Sequence, residues 1–388
     1  MRNSNKHKKL WFICPTHCVS MVPSVYGCIK WLADRDFKIE LFLYHPTNIP
    51  LPEFNTPNVK LHVIFYNTNR SWRRISRIII NWFIFVTKNI ARRPDYIIAA
   101  DHWGLLLAGL YIWSSYSKVI YFNLELRLKR EMAKYGKKLF KMAEVWLNRR
   151  CIATIIQDRY RAEALTNEHK LENHKFIILP NSSLGYAEHV DSLWLQKNYN
   201  IPADKIILLY VGSIISHFMC LEIAKAAKEF SKDINLVFHS PHNVETQYRK
   251  SLCHALTERN SGDIISNHFL DYDELKLLIM SAHIGIGLCR PEKGNELNEE
   301  LMGMSSGKIA LYLQCGIPVI ISNYTSLKWV EDNGCGICID DVDEINVAVD
   351  KIMEDYDGFR KRAITTFDKV LSLNSGLEQL KDILDVPK

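Results

Sequence analysis

Ser305, Ser306, Gly307 and Lys308 stand in the order that phosphate chemistry asks for. Two hydroxyls and a glycine make a small polar turn, and a lysine follows at the start of a breaker-free run, Ile309 to Gln314. A turn that opens a helix gathers free backbone N–H groups and the positive end of the helix dipole, and a lysine adds a mobile charge. The alternative is an ordinary capped helix. Gly316 is placed to end that helix with positive φ, and Pro318 prevents its continuation. Val319 to Ile321 then reads as a strand buried on both faces of a parallel sheet.

Other chemistry-bearing residues fall after predicted strands. Asp101 and His102 follow Tyr96–Ala99, and Asn123 and Glu125 follow Val119–Phe122. Gly212 and Ser213 follow Ile206–Val211, with His217 just beyond, while His268 and Leu270 follow the strand begun at Ile264. In open parallel sheets, ligands bind beyond the carboxyl ends of strands, which raises the interest of all of these. Cys335 and Cys338 form a CxxC, but no second ligand pair accompanies it, and packing is the expectation.

The elements that must position these residues alternate strand and helix along the whole chain, which predicts α/β architecture with doubly wound parallel sheets. Its 388 residues suit two domains, and 47% hydrophobic with 24% charged residues is a globular composition. The pattern resets near Asn181–Gly185. That predicts an N-terminal domain over 1–184, joined by the last helix from about 366 to 388, and a second domain over 185–365. Ten cysteines without an even framework suit a reducing compartment. The apolar run before Cys14-Pro15 is too short for a secretory signal, and no membrane-spanning helix is expected.

Charge is uneven. Residues 1–190 hold 29 Lys and Arg against 14 Asp and Glu, a net +15, whereas the remainder holds 20 against 29, a net −9. A basic half points to an anionic surface. Trp72, Arg73, Arg74, Arg77, Trp82, Phe83, Phe85, Lys88, Arg92 and Arg93 have the composition of a helix lying on anionic lipid, or equally of a buried helix with a solvated basic edge, and a second basic helix is expected over about 127–149. Membrane is favoured over nucleic acid, for which no motif appears.

Four features together resemble nucleotide-sugar-dependent glycosyltransferases of the GT-B fold, most closely retaining family four. They are Ser305–Ile320 with its trailing G-x-P-V, Val211-Gly212-Ser213, Ile156–Arg161 leading to Leu179–Ser182, and Tyr121–Leu126. The resemblance implies two Rossmann-like domains facing a cleft, with a C-terminal helix crossing back to the first. It implies that Gly212, Ser213, His217, His268, Leu270, Ser305, Ser306, Gly307 and Lys308 bind the donor, and that Glu125, Asp101 and His102 act on the acceptor. No metal or other cofactor is implied. The acceptor would be a glycan or a polyprenyl-diphosphate-linked glycan, met at the cytoplasmic face of a membrane by a peripheral enzyme of polysaccharide or glycoconjugate assembly. Four positions depart from the family, and at two of them, Ser213 and Phe218, its Arg and Lys after the Gly-rich turn are missing, with His217 the nearest substitute. The family's paired Glu residues would fall at Leu311 and Gly303, and Glu292 with Glu300 keeps the spacing out of register. A non-catalytic GT-B binding protein and a nucleotide-sugar 2-epimerase are the alternatives.

Overall fold

The computed structural model describes residues 8–45, 50–65, 80, 83, 85, 87, 91–114, 117–128, 135–241, 246–259, 261–291 and 296–385. It divides into two compact units, residues 1–184 with 373–388, and residues 185–372.

The first unit is built on seven parallel strands: β1 (Lys9–Cys18), β2 (Lys38–Tyr44), β3 (Val59–Phe65), β4 (Tyr96–Ala100), β5 (Lys118–Phe122), β6 (Ala153–Ile156) and β7 (Phe176–Ile178). Their order is β3-β2-β1-β4-β5-β6-β7. The direction of winding therefore reverses between β1 and β4, where such sheets open a crevice. Central strands such as β4 are buried along their whole length, as continuous Ile and Ala runs require. Helices α1 (Pro23–Ala33), α2 (Asp101–Trp113), α3 (Tyr135–Asn148) and α4 (Arg159–His169) follow in chain order. The C-terminal helix Asn374–Asp385 buries Leu377, Leu380 and Leu384 in this unit's core.

Two expectations change here, and a third falls largely outside the described residues. The returning segment starts at Leu373 rather than near 366, because Phe367 and Leu371 are buried in the second unit. The basic helix does not begin at 127: Leu126 to Leu128 are irregular, and α3 starts at Tyr135. Of the Arg-rich stretch 72–90, only Ile80, Phe83, Phe85 and Thr87 are described, all helical; Phe83 is exposed but Phe85 is buried in the core against Trp11 and Phe42 instead of facing lipid, and the remainder lies outside the described residues, as does Glu292.

The second unit carries six parallel strands: β8 (Ile206–Val211), β9 (Ile234–His239), β10 (Ile264–Ser266), β11 (Ile284–Gly287), β12 (Val319–Ser322) and β13 (Gly336–Ile339). Their order is β10-β9-β8-β11-β12-β13, so the winding reverses between β8 and β11. Its helices are α5 (Trp194–Tyr199), α6 (Cys220–Ala226), α7 (Gln247–Arg259), α8 (Tyr272–Met280), α9 (Glu296–Glu300), α10 (Gly307–Gln314), α11 (Trp329–Asp332), α12 (Ile345–Glu354) and α13 (Tyr356–Thr366). Helix α6 is flanked by two single 3-10 turns, Ser216–Phe218 and Ala227–Glu229. Among the described residues no helix is long and apolar enough to cross a membrane. Cys335 and Cys338 are free thiols, and Cys335 is buried in the core beside the Val330 carbonyl.

Candidate functional site

Helix α10 ends as its sequence requires. Gly316 has φ +69, and the Ile317 amide donates back to the Tyr312 carbonyl at 2.9 Å, closing the helix with a left-handed cap. One residue of this helix sets its position. The Tyr312 ring crosses β11 at Gly285, where a Cβ would lie 2.5 Å from the ring. Its hydroxyl accepts from the Val211 amide at 2.8 Å and donates to the Leu209 carbonyl at 3.0 Å, so α10 is tied to the carboxyl end of β8. Lys308 lies one turn earlier on the same helix face, and Gly212 follows Val211. The tie therefore delivers the lysine to the Gly212 turn.

The Lys308 ammonium is out of solvent, and no hydrogen-bond acceptor among the described residues meets it. It lies 4.1 Å from the ring centroid of Tyr210 and 4.0 Å from that of Phe218. A Cβ on Gly212 would come within 3.7 Å of Lys308 Nζ and 3.3 Å of the Tyr210 hydroxyl, and Gly212 has φ +139, so a side chain is disfavoured there on both counts. Burial pushes the Lys308 pKa down to about 8, with the Cys220 and Cys289 thiols opposing the shift. Aromatic faces offset part of the desolvation but supply no anion. A caged cation thus sits under a glycine turn at the switch point of the sheet.

The remaining donor-side residues divide. Ser306 caps α10, its Oγ accepting from the Ile309 amide at 3.4 Å, while Ser305 Oγ donates to the Met302 carbonyl at 2.6 Å. Two hydroxyls free for a ligand were expected; both are engaged in the fold, and the first-turn amides of Gly307 and Lys308 are the groups that α10 leaves without intrahelical acceptors. Ser213 is exposed on the turn, and Tyr210 donates to its carbonyl at 2.7 Å. His217 is buried with Nδ1 2.7 Å from the Arg290 carbonyl and Nε2 3.7 Å from the buried Glu299 carboxylate. His268 is exposed at the end of β10, stacked on Trp194, two strands away from β8 along the same edge. Leu270 is buried in the core.

A cavity of about 240 Å³ opens beyond the carboxyl ends of β11, β12 and β13, lined in part by Met219, Cys289, Arg290, Tyr324, Asp340 and Asp341. It shares Cys289 with the surroundings of Lys308. Sequence reasoning missed Tyr210, Phe218, Tyr312 and Glu299. Strands buried on both faces hide which side chain points where, and no local pattern marks a tyrosine that bonds another strand.

In the first unit, Asp101 begins α2 directly after β4 with φ +56, a conformation unusual for a residue with a side chain. Gly104 lets that helix approach β1, since a Cβ would stand 2.8 Å from the Ile13 carbonyl. His102 Nδ1 lies 2.9 Å from Asp101 Oδ2, off the line of a well-formed hydrogen bond, and its Nε2 lies 3.4 Å from Arg127 Nη1. Glu125 is half-buried and paired with Arg127, whose Nε donates to it at 3.2 Å. Arg161 is buried behind them, donating to the Leu124 carbonyl at 3.2 Å. Burial pushes its pKa down to about 10 against the opposing pull of Asp158, Glu125 and Asp101. Asp101, His102 and Glu125 thus meet in one cluster whose shared partner is Arg127.

The two-sheet architecture recurs in solved structures. Sucrose-phosphate synthase from Thermosynechococcus elongatus superposes with a TM-score of 0.72 over 97% of this chain and 98% of its own, at 14% identity. The fold is GT-B. Anabaena HepE, in complex with UDP-glucose, gives 0.70 over 97% and 99% at 13% identity. A UDP-N-acetylglucosamine 2-epimerase from Listeria monocytogenes gives 0.60 over 97% and 95% at 12% identity. Residues 242–373 match the family model Glucosyltransferase 3-like, C-terminal domain. No curated protein sequence matches the chain.

Proposed function

We propose that the protein is a glycosyltransferase that takes a sugar from a nucleotide-sugar donor held at the Gly212 turn and Lys308. The observation that carries this reading is the Lys308 ammonium, buried and without an acceptor among the described residues, beneath a glycine turn at the reversal of the sheet. A donor diphosphate seated on that turn would supply the missing anion. Lys308 and the first amides of α10 would offset the charge that grows on the leaving diphosphate. The neighbouring cavity, with Arg290, Asp340 and Asp341 on its wall, suits the hydroxyls of the sugar. The match to a glucosyltransferase domain over 242–373 and the UDP-glucose bound by HepE support this reading and make UDP the first nucleotide to test.

On the acceptor side, Asp101 would steer His102 so that its Nε2 takes or orients the proton of the incoming hydroxyl. Glu125, clamped by Arg127, would orient the acceptor rather than act as a free base. The acceptor class is a glycan or a lipid-linked glycan of polysaccharide or glycoconjugate assembly, presented at an anionic membrane. A retaining course without a metal cofactor is what the resemblance to family four implies.

Binding without transfer is a second reading, favoured by one observation: Leu311, where a ribose-binding carboxylate would stand, packs against the core of the second unit. Thermal shift with UDP and UDP-glucose, on wild type and Lys308→Ala in parallel, tests the donor site by mass action. A rise in melting temperature that Lys308→Ala abolishes is the expected result, and no rise at millimolar ligand would overturn it. Release of UDP from UDP-glucose by the wild type separates transfer from binding alone.

A further inference from the structure

Helix α3 is built inside out. Its outward residues Leu139, Met142 and Trp146 recur at i, i+3 and i+7 and are 55%, 58% and 41% exposed, with Phe140 beside them at 48%. Lys141, Glu144 and Asn148 recur with the same spacing on the buried face. A helix on a water-facing surface shows the reverse pattern.

The buried row is satisfied. Lys141 Nζ donates to Glu144 Oε2 at 3.0 Å and lies 2.8 Å from His169 Nε2. The Tyr121 hydroxyl donates to Glu144 Oε1 at 2.9 Å, and Asn148 lies 3.0 Å from His169 Nδ1. Turning the helix over to hide its apolar row would strand a lysine and a glutamate without these partners, which is strongly unfavourable. The internal network therefore fixes the apolar row outward.

Helix α2 extends the same surface. Trp113 is 77% exposed, and the half-buried Trp103 ring meets Phe140 at 5.2 Å, while Leu106 and Leu110 pack against the core beneath. Cations border it: Lys138, Arg149 and Arg150 are exposed, and the Arg150 guanidinium lies 3.7 Å from the Trp146 ring centroid. Tryptophans with arginines over them suit the headgroup level of a bilayer, where the ring is buried and the charge meets phosphate. The net +15 of residues 1–190 gives the same sign at longer range.

We infer that the α2–α3 face is the surface by which the first unit lies on an anionic phospholipid bilayer. This gives the membrane side of the proposed function a place on the chain, and it rests on that reading only for the acceptor met there. The charge complementarity of an apolar face with a basic border selects lipid over a second copy of the chain, which would bring like charges together.

The test is co-sedimentation of the full chain with vesicles of phosphatidylcholine, alone or mixed with phosphatidylglycerol. Wild type is expected to bind the mixed vesicles, less well as salt is raised. Met142→Gln with Trp146→Gln, both at exposed positions, is expected to lower the partition coefficient by roughly tenfold or more. Arg150→Ala is expected to weaken binding to mixed vesicles alone. Far-UV circular dichroism and the UDP thermal shift of the double variant should match wild type. Vesicle binding without a UDP shift would remove the donor reading and leave this surface standing. Equal binding by the double variant would overturn the proposal. So would absence of wild-type binding, or a dimer that the same substitutions dissolve without any vesicle binding.

Discussion

Lys308 pays a local penalty that no neighbour among the described residues repays in the ligand-free chain. Its position follows from Tyr312, four residues on, and from the side-chain-free Gly212, so the strain belongs to the site rather than to chance packing. Lys308→Met keeps the stem and removes the charge. It should stabilise the ligand-free protein at neutral pH by on the order of 1 kcal/mol, measured by urea unfolding. The sign with pH is fixed. The folded pKa of about 8 is below the ordinary 10.5, so the unfolded chain binds more protons between the two. Wild-type stability relative to the variant should therefore rise as pH climbs through that window. A difference that stays flat across it would place the ammonium in water.

At the scale of elements, much was readable from the sequence. The strands Ile206–Val211 and Val319–Ser322 fall where apolar runs and flanking turn residues put them. The Gly316 cap and Pro318 fixed the end of α10 for the same reason: these signals are local. The site was less readable. The register of Gly212 against Lys308 depends on Tyr312 spanning β11, and a contact between residues 211 and 312 leaves no mark in either stretch. Glu125 and Arg127 are two residues apart, so their pairing lies within local reach, but the engagement of both Ser305 and Ser306 hydroxyls depends on the backbone geometry of the turn. The inverted α3 was hidden by its lysines, since a basic stretch reads as a solvated face. Tyr312→Phe leaves the ring in place and removes two hydrogen bonds. It should cost about 1–3 kcal/mol, because the Val211 amide and Leu209 carbonyl lose a buried partner. It should also weaken UDP binding, measured by titration, whereas loss of stability with unchanged binding would detach Tyr312 from the site.

At the scale of the molecule, the two units have separate cores and opposite charge, and each carries its candidate groups at the carboxyl edge of its own parallel sheet. Under the proposed function, donor chemistry falls to the acidic second half and acceptor and membrane chemistry to the basic first half. Differential scanning calorimetry should resolve this division. A ligand stabilises the unit that binds it, so UDP should raise the transition of residues 185–372 and leave that of the first unit in place. A shift confined to the first unit would reverse the assignment.

The central claim is that a nucleotide diphosphate seats on Lys308. Titration calorimetry of UDP in buffers of different ionisation enthalpy measures it directly, at a pH just above the free-state value of about 8. An anion at the ammonium raises its pKa again, so binding should take up a fraction of a proton in wild type and none in Lys308→Met. Binding without proton uptake, or equal uptake by both proteins, would contradict the account.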